Sequence, residues 1–306
     1  MNDRIPIVLK ADGDCAYAYA EALAAHLKTT LLHTTPDAPV WLSVDADGLS
    51  LTDGDQMMRG DFTKLQKRLQ YHNLTHELLV KATKVKGREK LRVIDATAGM
   101  GEDSLLLAAA GCEVTLYEQD PVIAALLQDT MRRALEEAAL HEIVMRMQLV
   151  EGDSIGHLRR LGEAATGSDV QKGDVGHDCS TLTASAATGN GADASTSGAE
   201  VTTNDAAATT NSADEALKRP DVIYLDPMFP ERQKSGLVKK KFQLIHYLEA
   251  PAENEEALMQ AAIDARPFKI VVKRPAKGPY LAGLKPSYSL DGKAIRYDCY
   301  VFPENA

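Results

Sequence analysis

The stretch LRVIDATAGMGEDS, residues 91–104, decides the fold of this 306-residue chain. It begins as a short apolar run typical of a buried strand, passes through a glycine-containing turn, and ends where an apolar helix starts. Glycines in such a turn let a ligand approach the backbone closely, and the free N–H groups of the helix start face the same space. The stretch therefore predicts a strand–turn–helix unit that binds a small molecule.

The same alternation of strands and helices continues through the rest of the chain. Further strands are predicted at CEVTLYE (112–118), MRMQLVEGD (145–153), DVIYLDP (221–227) and FKIVVKRP (268–275). Helices are predicted between them, from Pro121 onward and near 253–265. This order indicates an α/β fold with a mostly parallel sheet covered on both faces. RYDCYVF (296–302) is predicted to add an antiparallel edge strand.

Three other segments lie outside this pattern. Residues 1–60 indicate a small N-terminal α/β subdomain with a strand, an alanine-rich helix and a hairpin around Asp45 to Gly48. Residues 61–90 are interpreted as a basic connector to the main domain, 91–306. Residues 162–218 are rich in small and polar residues and cannot bury enough apolar surface to offset their ordering entropy. We expect them to be a flexible, tolerated surface insertion.

Charge is distributed unevenly along the chain. The formal net charge is −10, but residues 162–218 hold nine acids and two bases, whereas residues 59–92 hold ten bases and three acids. The basic stretch is compatible with nucleic-acid binding, and it is equally typical of a solvated helix face. The negative total therefore does not exclude a nucleic-acid partner.

Other features disfavour a membrane, secreted or metal-bound protein. No run approaches the ~18 apolar residues that a membrane span needs, and the first residues lack the features of a secretion signal. The four cysteines, Cys15, Cys112, Cys179 and Cys299, are far apart and form no C-x-x-C pair. We expect a reduced, cytoplasmic protein without a metal site.

Acidic residues around the glycine turn indicate which cofactor it binds. The run from Gly99 through Gly101 to Ser104 lacks the third glycine of a dinucleotide motif, and Glu102 and Asp103 would repel a pyrophosphate. They suit the cationic end of S-adenosylmethionine. Glu118, at the end of the second strand, can accept hydrogen bonds from both ribose hydroxyls. Asp153, after the third strand, can accept a hydrogen bond from the adenine amino group. Each acid alone is compatible with a surface loop, but the predicted cofactor set combines them: Asp95, Gly99, Gly101, Glu102, Asp103, Glu118 and Asp153.

The residues after the fourth strand, Asp226-Pro227-Met228-Phe229-Pro230, are suited to methylating a planar amine. The lone pair of such a nitrogen is delocalised into the ring, which makes it a poor nucleophile. The Asp226 carboxylate and the Pro227 carbonyl can accept its N–H groups and stabilise the positive charge that develops, while Phe229 can stack on the base. A proline-rich turn is the alternative interpretation.

Taken together, DPMFPERQKSGLVKK, RVIDATAGMGEDS, YEQDPVIAALL and VVKRP resemble the bacterial ribosomal RNA small-subunit methyltransferase J family. That resemblance implies a Rossmann-like class I methyltransferase fold, S-adenosylmethionine as cofactor, and methylation of guanine N2 in 16S ribosomal RNA. It also implies cofactor contacts from Glu102, Asp103, Glu118, Gln119, Asp153, Ser154 and Asp226.

Basic residues beyond the strand ends are candidates for holding RNA phosphates. They are Lys234, Lys239, Lys240, Lys241, Lys273 and Arg274, together with the hydroxyl group of Ser235. The family resemblance implies 16S ribosomal RNA or the small ribosomal subunit as partner. Three alternatives stay open on the residues alone: methylation of adenine N6 or of a protein glutamine, a non-catalytic RNA-binding module, and a dehydrogenase. The dehydrogenase is disfavoured by the missing glycine.

Overall fold

The computed structural model describes residues 5–168, 219–227, Leu244, Leu248 and 254–303, without the side chains of 165–168. Within these residues twelve strands form two sheets. The larger sheet contains seven of these strands and the smaller contains five. Most of the predicted insertion, 169–218, lies outside the described residues, as do Met228 to Lys241.

The seven-stranded sheet contains every strand that the sequence predicts for the main domain. Its members are β6 (Arg92–Asp95), β7 (Glu113–Glu118), β8 (Met147–Glu151), β9 (Val222–Leu225), β10 (Lys269–Pro275), β11 (Tyr288–Asp291) and β12 (Ile295–Val301). The strand order is β11-β12-β10-β9-β6-β7-β8, and the run from β10 to β8 is parallel throughout. A mostly parallel α/β sheet is therefore confirmed.

Apolar residues alternate between the two faces of this sheet. Val93 packs into one core and Ile94 into the other, and the same alternation separates Tyr224 from Ile223. Helices cover both sides because both faces are apolar. Among the described residues, the helices of this domain are α5 (Glu102–Ala109), α6 (Pro121–Leu135), α7 (His141–Val144), α8 (Ser154–Ser168) and α9 (Glu255–Asp264).

The smaller sheet is built from residues Ile7 to Met58 and packs on α6. Its strands are β1 (Ile7–Leu9), β2 (Leu31–Leu32), β3 (Trp41–Asp45), β4 (Gly48–Thr52) and β5 (Met57–Met58), with α1 (Asp14–His26) beside them. Ala125 and Leu126 of α6 belong to the apolar core of this sheet. The buried carboxylate of Asp129 accepts the N–H of Leu49 at 3.0 Å. Helix α6 therefore packs against both sheets.

The connector forms short helices whose basic residues divide between opposite ends of the large sheet. A 3-10 turn at Phe62–Leu65 is followed by α2 (Gln66–Leu69), α3 (Tyr71–Leu74) and α4 (Leu78–Thr83). The first part lies near the start of α5, where Phe62 approaches Gly101. The later part lies at the amino ends of the strands, where Arg88 pairs with Asp221 at 2.7 Å. The pattern of charges along the chain does not indicate this division.

The position predicted for the last strand, at the edge of the sheet, was wrong. RYDCYVF forms β12 and is antiparallel, as expected, but β12 lies between β10 and β11 and is not the edge strand. The edge strand on this side of the sheet is β11, a four-residue strand with no fully buried position. Its side chains are partly exposed, so its apolar pattern is too weak to identify it.

Candidate active site

The acidic residues that the sequence singles out follow neighbouring parallel strands. Asp95 ends β6, Glu118 ends β7, Asp153 follows β8 and Asp226 follows β9. Because these strands are parallel and adjacent, their carboxyl ends lie at one edge of the sheet. Open α/β sheets bind their ligands at this edge.

The turn after β6 is shaped by two glycines and braced by a buried acid. Gly99 and Gly101 have φ values of +53° and +74°, in the left-handed region that favours glycine. Asp95 is 1% exposed and accepts the N–H of Thr97 at 3.1 Å and the hydroxyl of Ser104 at 2.6 Å. Burial raises the pKa of Asp95 to about 7. Both carboxylate oxygens of Asp95 accept hydrogen bonds from residues of the turn or of the helix that follows it. Asp95 therefore stabilises the conformation of the turn.

Glu118 links the second strand to the glycine turn. It is 8% exposed, and its two oxygens accept the N–H groups of Gly99 and Asp120 at 2.9 and 2.8 Å. Burial raises the pKa of Glu118, and these backbone hydrogen bonds oppose the rise. A carboxylate has about four lone-pair sites, so Glu118 can still accept a hydrogen bond from a ligand hydroxyl.

The remaining predicted cofactor residues lie around the same edge with different exposure. Glu102 and Gln119 are exposed, and Ser154 is buried at the start of α8. Asp153 is exposed and accepts the N–H groups of Ile155 and Gly156 at 2.9 and 3.1 Å, which caps α8.

Lys273 joins two of the acids into one network. Its Nζ lies 2.7 Å from Oδ2 of Asp103 and 2.8 Å from Oδ2 of Asp226. The hydroxyl of Tyr224 donates to Oδ2 of Asp103 at 2.6 Å, and the N–H of Asp226 donates to the hydroxyl of Thr97 at 2.6 Å. The start of α5 and the end of β9 are thereby tied together.

The charges of this network depend on one another. Burial raises the pKa of Asp226, and the ammonium of Lys273 opposes that rise. Burial lowers the pKa of Lys273, but Asp226 and Asp103 outweigh it, so that the pKa lies above its ordinary value. Lys273 is therefore a cation that helps to keep Asp226 ionised.

Sequence reasoning missed Thr97, Ser104 and Tyr224. A signal existed for Tyr224, because residues two apart on a strand share a face and Tyr224 precedes Asp226 by two.

The prediction that Lys273 and Arg274 bind RNA phosphates needs revision. Lys273 is held between two carboxylates in the site. The side chain of Arg274 is 0% exposed and pairs with Glu255 at 3.3 Å. Neither position offers its charge to a phosphate at the surface. The other candidates, Phe229, Lys234, Ser235, Lys239, Lys240 and Lys241, lie outside the described residues.

The described ranges show neither a metal cluster nor a membrane-spanning helix. Among these residues, no group of three or more His, Cys, Asp or Glu side chains is placed to hold a metal ion. In the same ranges, no helix has the length and apolar character needed to cross a bilayer.

Comparisons with known proteins identify the family. A family model described as a putative SAM-dependent methyltransferase matches residues 25–170 and 193–302. A protein of Thioalkalivibrio sulfidiphilus named Ribosomal RNA small subunit methyltransferase J is 35% identical, with 92% of both chains covered. A protein of the same name from Pseudomonas fluorescens is 34% identical, with 96% of this chain and 94% of the relative covered. The chain belongs to the ribosomal RNA small subunit methyltransferase J family.

A solved structure agrees with the fold of this methyltransferase J chain. The SAM-dependent methyltransferase of Neisseria gonorrhoeae is 24% identical, covers 97% of this chain and 95% of its own, and superposes with a TM-score of 0.62. The Rossmann-like methyltransferase fold is confirmed. As a methyltransferase J family member, the chain is an enzyme that uses S-adenosylmethionine.

The residues at the carboxyl edge fit that cofactor. A Cβ placed on Gly99 would meet no atom within 4 Å, so the backbone there borders open space. Glu102 and Asp103 begin α5 with no side-chain cap on its first N–H groups. Acids beside a cationic ammonium and sulfonium, and the buried Glu118 beside a ribose, match the donor and acceptor groups of S-adenosylmethionine.

Proposed function

We propose that this enzyme methylates the exocyclic N2 amine of a guanosine in 16S small-subunit ribosomal RNA. The observation that carries the proposal is the position of Asp226, whose carboxylate follows β9 beside the glycine turn. The name shared by the full-length relatives supports the RNA substrate. The sequence after Asp226, with Pro227 and Phe229, supports a planar amine as the acceptor.

The cofactor contacts form part of this proposal. Gly99, Gly101, Glu102 and Asp103 surround the methionine end, with Asp95 positioning their turn. Glu118 and Gln119 accept the ribose hydroxyls, and Asp153 with Ser154 lies against the adenine. Support comes from the adjacency of all these residues at the carboxyl ends of β6, β7 and β8.

When bound, S-adenosylmethionine supplies a methyl group already activated on sulfur, so the protein needs chiefly to position the amine. Asp226 accepts an N–H of the amine and thereby stabilises positive charge that develops on the nitrogen. Lys273 engages Oδ2 of Asp226, and no described residue donates to Oδ1, which leaves Oδ1 for the substrate. The Pro227 carbonyl accepts the second N–H, and Phe229 stacks on the base.

Guanine N2 lies in the minor groove of a paired helix. Reaching it requires an unpaired or flipped nucleotide, whose base would lie beside Asp226 at the carboxyl edge of the sheet. The proposed partner is 16S ribosomal RNA or the small ribosomal subunit, and the proposed location is the cytoplasm.

The test is to map methyl groups on ribosomal RNA from a strain lacking the protein, and to restore them with purified enzyme and S-adenosylmethionine. We expect one guanosine of the 16S RNA to lose its N2-methyl group and to regain it in vitro. Methyl transfer to adenine N6, or to a protein glutamine instead of RNA, would contradict the proposal.

A further inference from the structure

The first part of the connector presents an unusual surface beside the cofactor site. Residues 62–76 contain Lys64, Lys67, Arg68, His72 and His76 but no acidic residue. All five side chains are exposed, and so is Tyr71, which is 83% exposed at the start of α3. Burying an aromatic ring is favourable, so a ring left this open by its own fold is available to a partner.

Apolar residues on the other side of this segment fix its position. Leu65 and Leu74 are buried in cores that include residues of α5, and Leu69 packs against the same cores. The corner between α2 and α3 is braced by the side-chain amide of Asn73, which donates to the carbonyl of Lys67 at 2.6 Å. Tyr71 therefore stands on a turn that is already shaped before any partner binds.

The surface adjoins the active site. Arg68 pairs with Glu77 at 2.8 Å. Glu77 raises the pKa of Arg68 most strongly, and Asp103 and Glu102 add to the rise. The same segment reaches the turn before α5, where Phe62 approaches Gly101.

We propose that the surface formed by Lys64, Lys67, Gln70, Tyr71 and His72 is the docking site for an unpaired RNA strand next to the target nucleotide. This inference rests on the proposed function and adds the place where the RNA is held. Exposed lysines attract phosphates, and the Tyr71 ring stacks on a base without selecting its sequence. Single-stranded RNA offers both groups together, whereas paired RNA conceals its bases.

The two lysines of this surface differ in how free their charges are. Lys64 pairs with Asp61 at 3.1 Å, although its side chain is 67% exposed. Lys67 is exposed and makes no ion pair with any residue that the structure describes. Lys67 is therefore the residue whose charge reversal most directly tests a phosphate contact.

The second half of the basic stretch supplies a matched control. Lys86 is also exposed, but it lies near the amino ends of the strands, where Lys269 at the start of β10 donates to the neighbouring carbonyl of Lys84. If the basic stretch only attracted RNA by its charge, both Lys67 and Lys86 would contribute to RNA binding. The proposed surface uses only the half at the active-site edge.

The experiment measures the affinity of the full chain for a single-stranded RNA oligonucleotide and for naked 16S RNA, at several salt concentrations. We expect Tyr71→Ala to weaken binding roughly 5- to 150-fold and Tyr71→Phe to restore most of it. Lys67→Glu should weaken binding and reduce the slope of log K against log salt by roughly 0.7 or more. Lys86→Glu should change neither quantity, and no variant should change affinity for S-adenosylmethionine.

Two outcomes would overturn the inference. One is equal loss of binding in the Lys67 and Lys86 variants. The other is unchanged binding of the Tyr71→Ala variant to the oligonucleotide and to naked 16S RNA, which would show that the ring does not contact RNA. If wild-type enzyme methylates no 16S RNA, the proposed function itself fails, and this result is distinct because it appears without any substitution.

Discussion

The ammonium of Lys273 lies 2.8 Å from Oδ2 of Asp226, and the same nitrogen lies 2.7 Å from Asp103. One cation therefore separates two carboxylates that would otherwise repel each other. Lys273 holds Oδ2 of Asp226 in a hydrogen bond and favours the ionised carboxylate. A substitution of Lys273 should therefore affect the substrate through Asp226.

Removing the Asp226 carboxylate tests its proposed part in the reaction. We expect Asp226→Ala to lower kcat by roughly 10²–10³-fold, the usual cost of losing one preorganised acceptor at a developing charge. Single-turnover methyl transfer measures the rate, and circular dichroism checks the fold. Near wild-type turnover would contradict the mechanism.

Removing the Lys273 cation should change the pH profile. The carboxylate of Asp226 is needed in its ionised form, so activity falls as the pH drops through its raised pKa. In Lys273→Met the ammonium no longer opposes the effects of burial and of Asp103, and the smaller effect of Arg274 remains, so we expect the acidic limb of kcat/KM to move to higher pH. On that limb the ionised fraction of Asp226, and with it the rate, should fall roughly tenfold for each pH unit.

The matched control for this variant is Lys277→Met, which removes an exposed lysine from the segment after the same strand. Its profile should match that of wild type. A uniform loss of activity in Lys273→Met at every pH, with no displaced limb, would mean that the lysine contributes packing alone.

The two glycines of the turn should respond differently to alanine. A Cβ on Gly101 would lie 2.6 Å from Cδ1 of the buried Leu127, and alanine is also strained at its positive φ, so Gly101→Ala should lower the free energy of unfolding by roughly 2–5 kcal/mol. Gly99 has open space, so Gly99→Ala should cost about 1 kcal/mol of backbone strain. Its methyl group enters the ligand space, however, and should weaken S-adenosylmethionine binding. Denaturant unfolding and calorimetry separate the two effects; equal cofactor affinity in Gly99→Ala and wild type would place the cofactor elsewhere.

Asp95 should give the protein an unusual dependence of stability on pH. Its pKa is about 7 in the folded protein, against an ordinary value of 3.8, so the folded state holds the proton more tightly. Its contribution to stability is therefore full below about pH 4 and is lost as the pH rises to about 7. Asp95→Asn lacks this titration, and its stability relative to wild type should rise over the same pH interval, by at most about 4 kcal/mol. Parallel stability curves for the two proteins would contradict the assignment.

Part of the insertion should be dispensable. The family match passes over residues 171–192, where Val175 and Leu182 are the only large aliphatic residues. Deleting this stretch and joining Val170 to Asp193 should leave cofactor affinity and the melting temperature nearly unchanged, because loop-closure entropy varies slowly with length. Loss of folding in the deletion protein would show that the segment packs against the domain.

The glycine turn and its flanking strands were predictable because their chemistry is local. The strand VIYL and the acid after it are contiguous, and the helix start follows Gly101 directly. For Lys273 the sequence predicts a contact with RNA phosphates, because the sequence shows its positive charge but not its partners. Its partner Asp103 is 170 positions away, and only the sheet topology brings the two together. The edge strand β11 was missed for a related reason, since its pairing with β12 and not its composition defines it.

Helix α6 has a consequence for how the protein unfolds. Its buried Asp129 is bound by Arg132 and Arg133 and by the N–H of Leu49, while Asp120 at its other end caps it beside Glu118. Losing the first sixty residues would uncover the apolar side chains of Ala125 and Leu126 on a helix that borders the cofactor turn. The five-stranded sheet and the seven-stranded sheet should therefore unfold in one cooperative transition. Amide hydrogens in β4 and β7 should then show similar protection from exchange.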